Sequence, residues 1–421
     1  TIPPLTKGDR GILKKHQSEE TSDIHYNQKQ RVQSMTAPRR HDNRKKRLRV
    51  VNAAVLLVYL LGALWTVTSC ARPDVPPDRF DTGRRNENNE LFPQAAPDRF
   101  YNDLFTRRDG GWTGGDGTRS VLLPDGRILW LFGDTFLGVV RPDLSRPHTA
   151  PMVRNTFVVQ SGDTLVTLHG GSAASPRAFV TPQEKGSWYW PTDGLVEGNR
   201  LRVFLPRFTA TGPGMWDWRW SGTDIGTFSL PELQLEKITA AEAVNRVIYG
   251  AALLKNAYGT YIYGVEDLQS AKYVHIAKAG SGHLDDAWEY WDGERWTVDP
   301  LASKRLFSGA ALQFSVFKTG GRYVLITSDN RVPFDSAIVA YVSPSPTGPW
   351  SLRSTIYRPP EAKGDIVAYN ALAHPHLSPR HRLLISYNLN HVRDAEAVYR
   401  NADDYRPRFV LVDLKAVRHE P

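Results

Sequence analysis

From about residue 100 onward, hydrophobic positions gather in short β-rich runs, and no long stretch shows the ~3.6 period of a helix. One unit repeats: a turn, then a β-rich run, then a polar group. It is read at DGRILWLFGD (125–134), EGNRLRVFLPR (197–207), AYGTYIYGVED (257–267), GGRYVLITSD (320–329) and RHRLLISYN (380–388). The centres of these runs are Leu131, Val203, Ile262, Leu325 and Ile385, separated by 72, 59, 63 and 60 residues. A super-period near 60 residues predicts an all-β, five-bladed β-propeller over residues 100–421, each blade a four-stranded sheet around a channel. The alternative is a two-sheet sandwich, whose strands return every ~8–12 residues without a longer period. The one helix candidate in this region is ITAAEAVNRVI, residues 238–248.

The segment before the repeats reads differently. Residues 36–49, TAPRRHDNRKKRLR, are strongly basic, and residues 50–69, VVNAAVLLVYLLGALWTVTS, carry no charge. Twenty such residues are long enough to span a bilayer as a helix. A basic stretch, an apolar stretch and a small-residue site also describe a secretory signal. Here the site is Val67-Thr68-Ser69-Cys70, similar to the lipobox of bacterial lipoproteins, and Cys70 is the only cysteine in the chain. Two readings stand: lipidation of Cys70 after cleavage, or an uncleaved transmembrane signal anchor. Either puts the rest of the chain on the outer face of the membrane, by the positive-inside rule. Residues 1–49 read as a disordered basic N-terminal region, of which 1–34 are polar, precede Met35 and read as a cytoplasmic tail or as an over-extended gene start. Residues 71–99 are rich in Pro, Asn and charge, a flexible tether.

Charge changes the functional picture once it is divided. The whole chain has a net charge of +9. Residues 1–69 hold 13 of the 53 basic and 5 of the 44 acidic side chains, which leaves 40 and 39 in the remainder, a net charge of +1. The basic character belongs to the leader, so a nucleic-acid partner is not expected. One cysteine excludes an internal disulfide framework and a multi-cysteine zinc site. HExxH, P-loop, GxGxxG and GxSxG patterns are absent, so no cofactor, metal or serine-hydrolase chemistry is expected.

The segment richest in chemistry is Gly111-Trp112-Thr113-Gly114-Gly115-Asp116-Gly117-Thr118-Arg119-Ser120, followed by VLLPDGRILWLFGDTF. Pro124-Asp125-Gly126 is a tight-turn signal. A hairpin centred on Asp125 pairs residues whose numbers sum to 250, and Asp116 and Asp134 are such a pair. They are expected as cross-strand neighbours with Cβ atoms ~5 Å apart at the open end. Two carboxylates that close raise one pKa and leave the other low, which is the division of labour glycosidases use. Asp134, beside the Gly133 and Thr135 amides, reads as nucleophile or base, and Asp116 as proton donor; the short separation suits a retaining displacement. The plain alternative is a pair of strand-end turn residues bonding local amides.

Other polar groups end or precede the repeated strands: Arg154 and Asn155, Trp190 and Asp193, Glu266 and Asp267, Gln313, Asn370 and His374, and Asn388. With Trp112 they form the candidate substrate-binding set. Trp188, Trp190, Trp216, Trp218, Trp220 and Trp291 add a density of indoles; those left exposed would be stacking platforms for sugar rings.

GGDGTRSVLLPDGRILWLFGDT resembles the first blade of five-bladed propeller glycosidases such as glycoside hydrolase family 43. Trp112–Gly138, together with WEYWDG, SPTGPW, AHP, ISYN and YRPRF, is more closely similar to an actinobacterial family of domains of unknown function, number 4185, or its relatives. The resemblance covers roughly residues 100–415 and implies endo-acting cleavage of D-arabinan, an arabinofuranose-containing cell-wall glycan. By position it implies that Asp116 is the first-blade carboxylate and Asp134 the second acidic residue of that hairpin. The family 43 acid, a Glu on the inner strand of the fourth blade, is replaced near Gln313, which favours the Asp116/Asp134 pair. The expectation is therefore an extracytoplasmic, membrane-tethered glycoside hydrolase acting on a cell-envelope polysaccharide. A sugar-binding or scaffold propeller without catalysis is the rival from another class, and a hydrolase using a channel cation is a third.

Overall fold

A computed structural model describes residues 95–414, apart from 215, 242–244, 270 and 281–282. These residues belong to one compact unit, Asn86–Pro421. The expectations for residues 1–94, including the apolar segment 50–69 and Cys70, lie outside the described residues. Among the described residues no helix is long and apolar enough to cross a membrane. The fold is all-β: the α-helices described are the short Arg99–Leu104 and Ala397–Arg400.

Five larger antiparallel sheets follow one another along the chain. The first contains Arg119–Leu122, Ile128–Phe132, Thr156–Ser161 and Thr164–Leu168. In the second, the two short strands Ser187–Tyr189 and Gly194–Glu197 both pair with Arg200–Ala210, followed by Trp218–Ser229 and Leu235–Ala240. The third runs through Val247–Asn256, Gly259–Asp267 and Lys272–Ala279, with shorter strands beyond. The fourth is Ala310–Thr319, Arg322–Asp329, Ile338–Ser343 and Ser351–Tyr357. The fifth is Ile366–Ala373, Arg382–His391 and Pro407–Asp413, and its outer edge is taken by Ala96–Pro97 from the start of the described chain. A small three-stranded sheet, Trp112–Gly115, Thr135–Leu137 and Met152–Val153, extends from the first.

The repeated runs all become the second main strand of a different sheet. Their centres Leu131, Val203, Ile262, Leu325 and Ile385 are fully buried. Alternation along these strands sends one parity to each neighbouring sheet. Leu129 and Leu131 pack with Val203 and Leu205 of the second sheet, while Trp130 and Phe132 pack with Leu384 and Phe409 of the fifth. Phe204 joins the third sheet, Leu325 faces the third from the fourth, and Val324 and Ile326 meet Leu383 and Ile385 of the fifth. Burying each such side chain contributes ~1.5–3 kcal/mol at most, so these inter-sheet seams carry the stability of the fold.

The candidate helix 238–248 is a correction. Ile238–Ala240 finishes the last strand of the second sheet, with Thr239 opposite Ile225, and Val247 begins the third sheet opposite Glu266. Its β-branched ends have sheet edges to join, and pairing overrides the local Ala-rich preference.

Arg119 lies buried where the first strands approach one another. Its guanidinium donates to Ser315 Oγ at 2.9 Å, to the Ala251 carbonyl at 2.8 Å and to the Phe314 carbonyl, and it faces Asp193 at 3.6 Å. The Ser315 hydroxyl in turn donates to the Ala373 carbonyl and accepts from the Ala373 N–H. One guanidinium and one hydroxyl thus link residues of all five larger sheets.

The strand that opens each of these sheets is interrupted near one end. Between Trp112–Gly115 and Arg119–Leu122 lie Asp116–Thr118; between the paired strands of the second sheet lie Trp190–Asp193. In the third, fourth and fifth sheets the register shifts between Tyr249 and Ala252, Ala310 and Phe314, and Tyr369 and Leu372. Bulges of this kind re-aim side chains out of the strand plane. They place Asp116, Trp190, Asp193, Gln313 and Asn370 on the irregular stretches.

Candidate active site

The Asp125-centred hairpin forms in the expected register, with Arg119 opposite Leu131 and, in the extension, Gly115 opposite Thr135. Gly126, at φ +85°, takes the turn position that a side chain would strain. At the open end the Asp116 N–H donates to the Asp134 carbonyl at 3.2 Å, and the Asp116 carbonyl accepts from the Gly133 N–H at 2.7 Å. Asp116 and Asp134 are therefore backbone neighbours, and both side chains are half-buried.

Each carboxylate has its own set of partners. Asp116 Oδ2 accepts from the Tyr369 hydroxyl at 2.9 Å. Its Oδ1 lies over Gly133, where a Cβ would come within 2.7 Å of it and 3.2 Å of the Trp190 ring. Asp134 Oδ1 accepts from Trp190 Nε1 at 2.9 Å, and Asp134 Oδ2 pairs with the Arg154 guanidinium at 3.0 Å. The Asp134 side chain is 17% exposed and that of Arg154 is 44% exposed, so the pair opens to solvent on this side.

These environments separate the two groups. Burial, then the charge of Asp134, pushes the Asp116 carboxyl up to about 7, against hydrogen bonds from Tyr369 and Tyr405 that favour its ionised form. Burial also raises Asp134, but the Arg154 cation and the Trp190 N–H oppose that rise. Coupled carboxyls release their protons in two steps. The first leaves Asp134, which alone has a cation beside it, and Asp116 keeps its proton toward neutrality.

The backbone behind Asp116 is held from the fifth sheet. Asn388 Nδ2 donates to the Gly115 carbonyl at 3.2 Å and to Thr118 Oγ1 at 3.0 Å, while its Oδ1 accepts from the Gly117 N–H at 3.2 Å. Thr118 sits at φ +46° and Asn370, next to Tyr369, at φ +50°. Left-handed backbone at non-glycine residues costs energy and collects at functional sites.

Beside Asp134 the indole of Trp190 is packed by Phe208, Trp218 and Trp188, with ring centroids 4.6, 5.2 and 5.5 Å away. The Arg154 guanidinium lies 4.3 Å over the Trp188 ring. Trp188 is buried, Trp190 and Trp218 are half-buried, and Trp216 is exposed. An aromatic wall thus flanks one side of the acid pair.

The structure sorts the remaining candidates. Arg154 and Trp190 join the pair directly. Trp112 does not: it is fully buried among Phe105 and Phe132 and has no face for a ligand. Asn155 is buried, bonding the backbone of Val180 and the Tyr189 carbonyl. His374 is a buried histidine between Ser120 Oγ at 2.6 Å and Ser386 Oγ at 2.8 Å, and burial holds it neutral. Asn388 is buried and acts on the backbone behind Asp116. In these four the polar atoms or rings face protein. Asp193 is buried against Arg119 and accepts from the Gly194 and Leu253 N–H groups. Glu266 is held by Arg305 at 2.7 Å, and Asp267 accepts from the Gln269 N–H at 2.8 Å, both tying the third sheet. Gln313 and Asn370 are half-buried on the interrupted strands, and Gln313 Oε1 has no hydrogen-bond partner among the described residues. Among the described residues no group of three or more His, Cys, Asp or Glu could hold a metal ion.

Sequence reasoning passed over Tyr369 and Tyr405. Tyr369 stands immediately before the noted Asn370, but 253 residues from Asp116. The first strand of the fifth sheet brings it there, with Asn370 beside it at φ +50°.

No curated protein matches the chain. Among solved structures, it is similar to a Bacteroides ovatus protein provisionally assigned as a hydrolase, at 24% identity and a TM-score of 0.64, over 76% of this chain and 90% of that one. This likeness is one of fold. A family 43 glycoside hydrolase from Xanthomonas citri, solved with xylose, aligns at 14% identity and a TM-score of 0.44, over 76% and 90%. An endo-arabinase from Bacteroides thetaiotaomicron aligns at 12% and 0.42, over 73% and 97%. The match to family 4185 is not what the family comparison shows. Residues 98–414 match a different family, described as a domain of unknown function, DUF5005, and by that extent the chain belongs to it.

Proposed function

We propose that this protein is a glycoside hydrolase built as a five-bladed β-propeller, with Asp116 and Asp134 as its reacting pair. The observation that carries the reading is the pair itself: two adjoining carboxyls, one raised to about 7 and one beside a cation, at a solvent-open end flanked by indoles. The ring is supported by seams that join each sheet to the next and the fifth to the first.

In this reading Asp134 attacks the anomeric carbon as the glycosidic oxygen leaves with the proton of Asp116. A covalent glycosyl–Asp134 ester results. Asp116, now ionised, takes a proton from water; the water oxygen bonds the anomeric carbon and the ester bond breaks, restoring Asp134. Arg154 and the Trp190 N–H keep Asp134 ionised before attack, and Tyr369 orients Asp116. A neutral arabinofuranose-containing envelope glycan is the proposed substrate, and Gln313 and Asn370 are proposed to meet its hydroxyls.

The test is incubation of the full chain with a panel of cell-wall glycans that includes arabinan. Released oligosaccharides support the reading; binding to a glycan without cleavage would favour a sugar-binding propeller instead. We further propose attachment to the outer membrane face through Cys70. Cell fractionation of the Cys70→Ala protein checks it: release from the membrane is expected, and an uncleaved leader with a free thiol in the unaltered protein would mean a signal anchor.

A further inference from the structure

A cavity lies between the fourth and fifth sheets. It has a volume of 460 Å³, within the ~300–1,000 Å³ usual for ligand sites. Its walls come from the loop after the second strand of the fourth sheet, the link between the fourth and fifth sheets, and the start of the fifth. Phe334, Pro359, Val367 and Val392 give it apolar surface, while two arginines and two aspartates give it polar surface.

Three features say what it would hold. First, its charges balance. Arg358 pairs with Asp335 at 3.3 Å and Arg393 with Asp365 at 3.3 Å, all four lining the cavity. A phosphate or a polyanion needs surplus positive charge, whereas a neutral polyol needs donors and acceptors side by side. The arginine side chains are 65% and 79% exposed, so donors beyond the ion pairs face outward. Second, Phe334 is 65% exposed and sits at φ +60°. A bulky residue in left-handed backbone is a true outlier, and this one presents a ring at the cavity rim, where a sugar face can stack. Third, the cavity adjoins the acid pair through one strand. Val367 lines it, and Tyr369, two residues on, donates to Asp116. Two residues of strand cover ~6.6 Å.

The geometry points to a remote sugar subsite: the cavity between the fourth and fifth sheets holds one neutral sugar residue of a glycan chain whose scissile bond lies at Asp116 and Asp134. The inference rests on the hydrolase reading and deepens it. It makes the enzyme one that gains rate from chain length on this side of the cut.

The experiment compares kcat/KM on arabinan fragments of two lengths, short ones of two or three units and long ones of eight or more. Phe334→Ala and Arg393→Ala each change an exposed side chain, so folding is expected to survive. The ratio of long-substrate to short-substrate kcat/KM is expected to fall about tenfold in each, equivalent to ~1.4 kcal/mol. An unchanged ratio in both overturns the subsite. A parallel titration uses the catalytically silenced Asp116→Asn protein with long arabinan fragments, followed by NMR, with inorganic phosphate as the anionic control. Fragment binding that weakens on adding Phe334→Ala supports the subsite even if no glycan is ever cleaved, in which case the hydrolase reading alone fails. Phosphate binding tighter than the fragments, or fragment binding indifferent to Phe334→Ala, overturns it.

Discussion

At the scale of single residues, the account turns on how two identical side chains come to differ. Asp134 has a guanidinium and an indole N–H; Asp116 has tyrosine hydroxyls and the negative charge of its neighbour. Activity should therefore fall as pH rises through about 7, where Asp116 loses the proton it must donate. The Tyr369 hydroxyl favours the ionised form of Asp116, so removing it raises that carboxyl further. Tyr369→Phe is expected to move the alkaline limb of the pH–rate profile upward; a limb that stays or moves down would contradict the assignment. Much of this pairing was legible in the sequence. The Pro124-Asp125-Gly126 turn fixes the register, and the register sets Asp116 against Asp134. The tyrosines were not legible, because no local pattern ties residue 369 or 405 to residue 116. The burial of His374 and Asn388 is hidden for a related reason: their polar type is visible in sequence, but their burial is set by partners such as Ser120, Gly115 and Thr118 far along the chain.

Among the elements, the instructive feature is the broken first strand of each larger sheet. Near-continuous hydrophobic runs mark the second strands well, since both faces of those strands are buried between sheets. The first strands lose alternation at their bulges, so sequence patterning blurs where the candidate chemistry lies. The irregular backbone then needs support from outside its own sheet. Asn388 gives it to Gly115, Gly117 and Thr118. Asn388→Ala leaves buried donors and acceptors unpaired and is expected to cost about 1–3 kcal/mol in denaturant unfolding. Because it also frees the segment carrying Asp116, kcat should fall in protein that is still folded at low temperature. A stability loss with kcat unchanged would detach Asn388 from the site.

For the molecule as a whole, each of the five repeated runs marks the second main strand of one of the five larger sheets. What they did not show is Arg119, a charged residue in a glycine-rich stretch that lies at the meeting of the first strands. It reaches Ser315, Ala251, Phe314 and Asp193. Removing one partner of a buried ion pair strands the other, at a cost of ~3–5 kcal/mol. Arg119→Ala is expected to lower stability by that amount, read from chemical denaturation. A loss below ~1 kcal/mol would mean that the sheets do not converge on this side chain.

The most direct test of the central claim is the rate of glycan cleavage by Asp116→Asn and Asp134→Asn full-length protein, with folding checked by circular dichroism. Positioned acids and bases contribute ~10²–10⁴-fold, so each variant is expected to lose at least ~100-fold on arabinan. A loss of only a few-fold in both, in folded protein, would contradict the account and leave the acid pair a structural turn in a sugar-binding propeller.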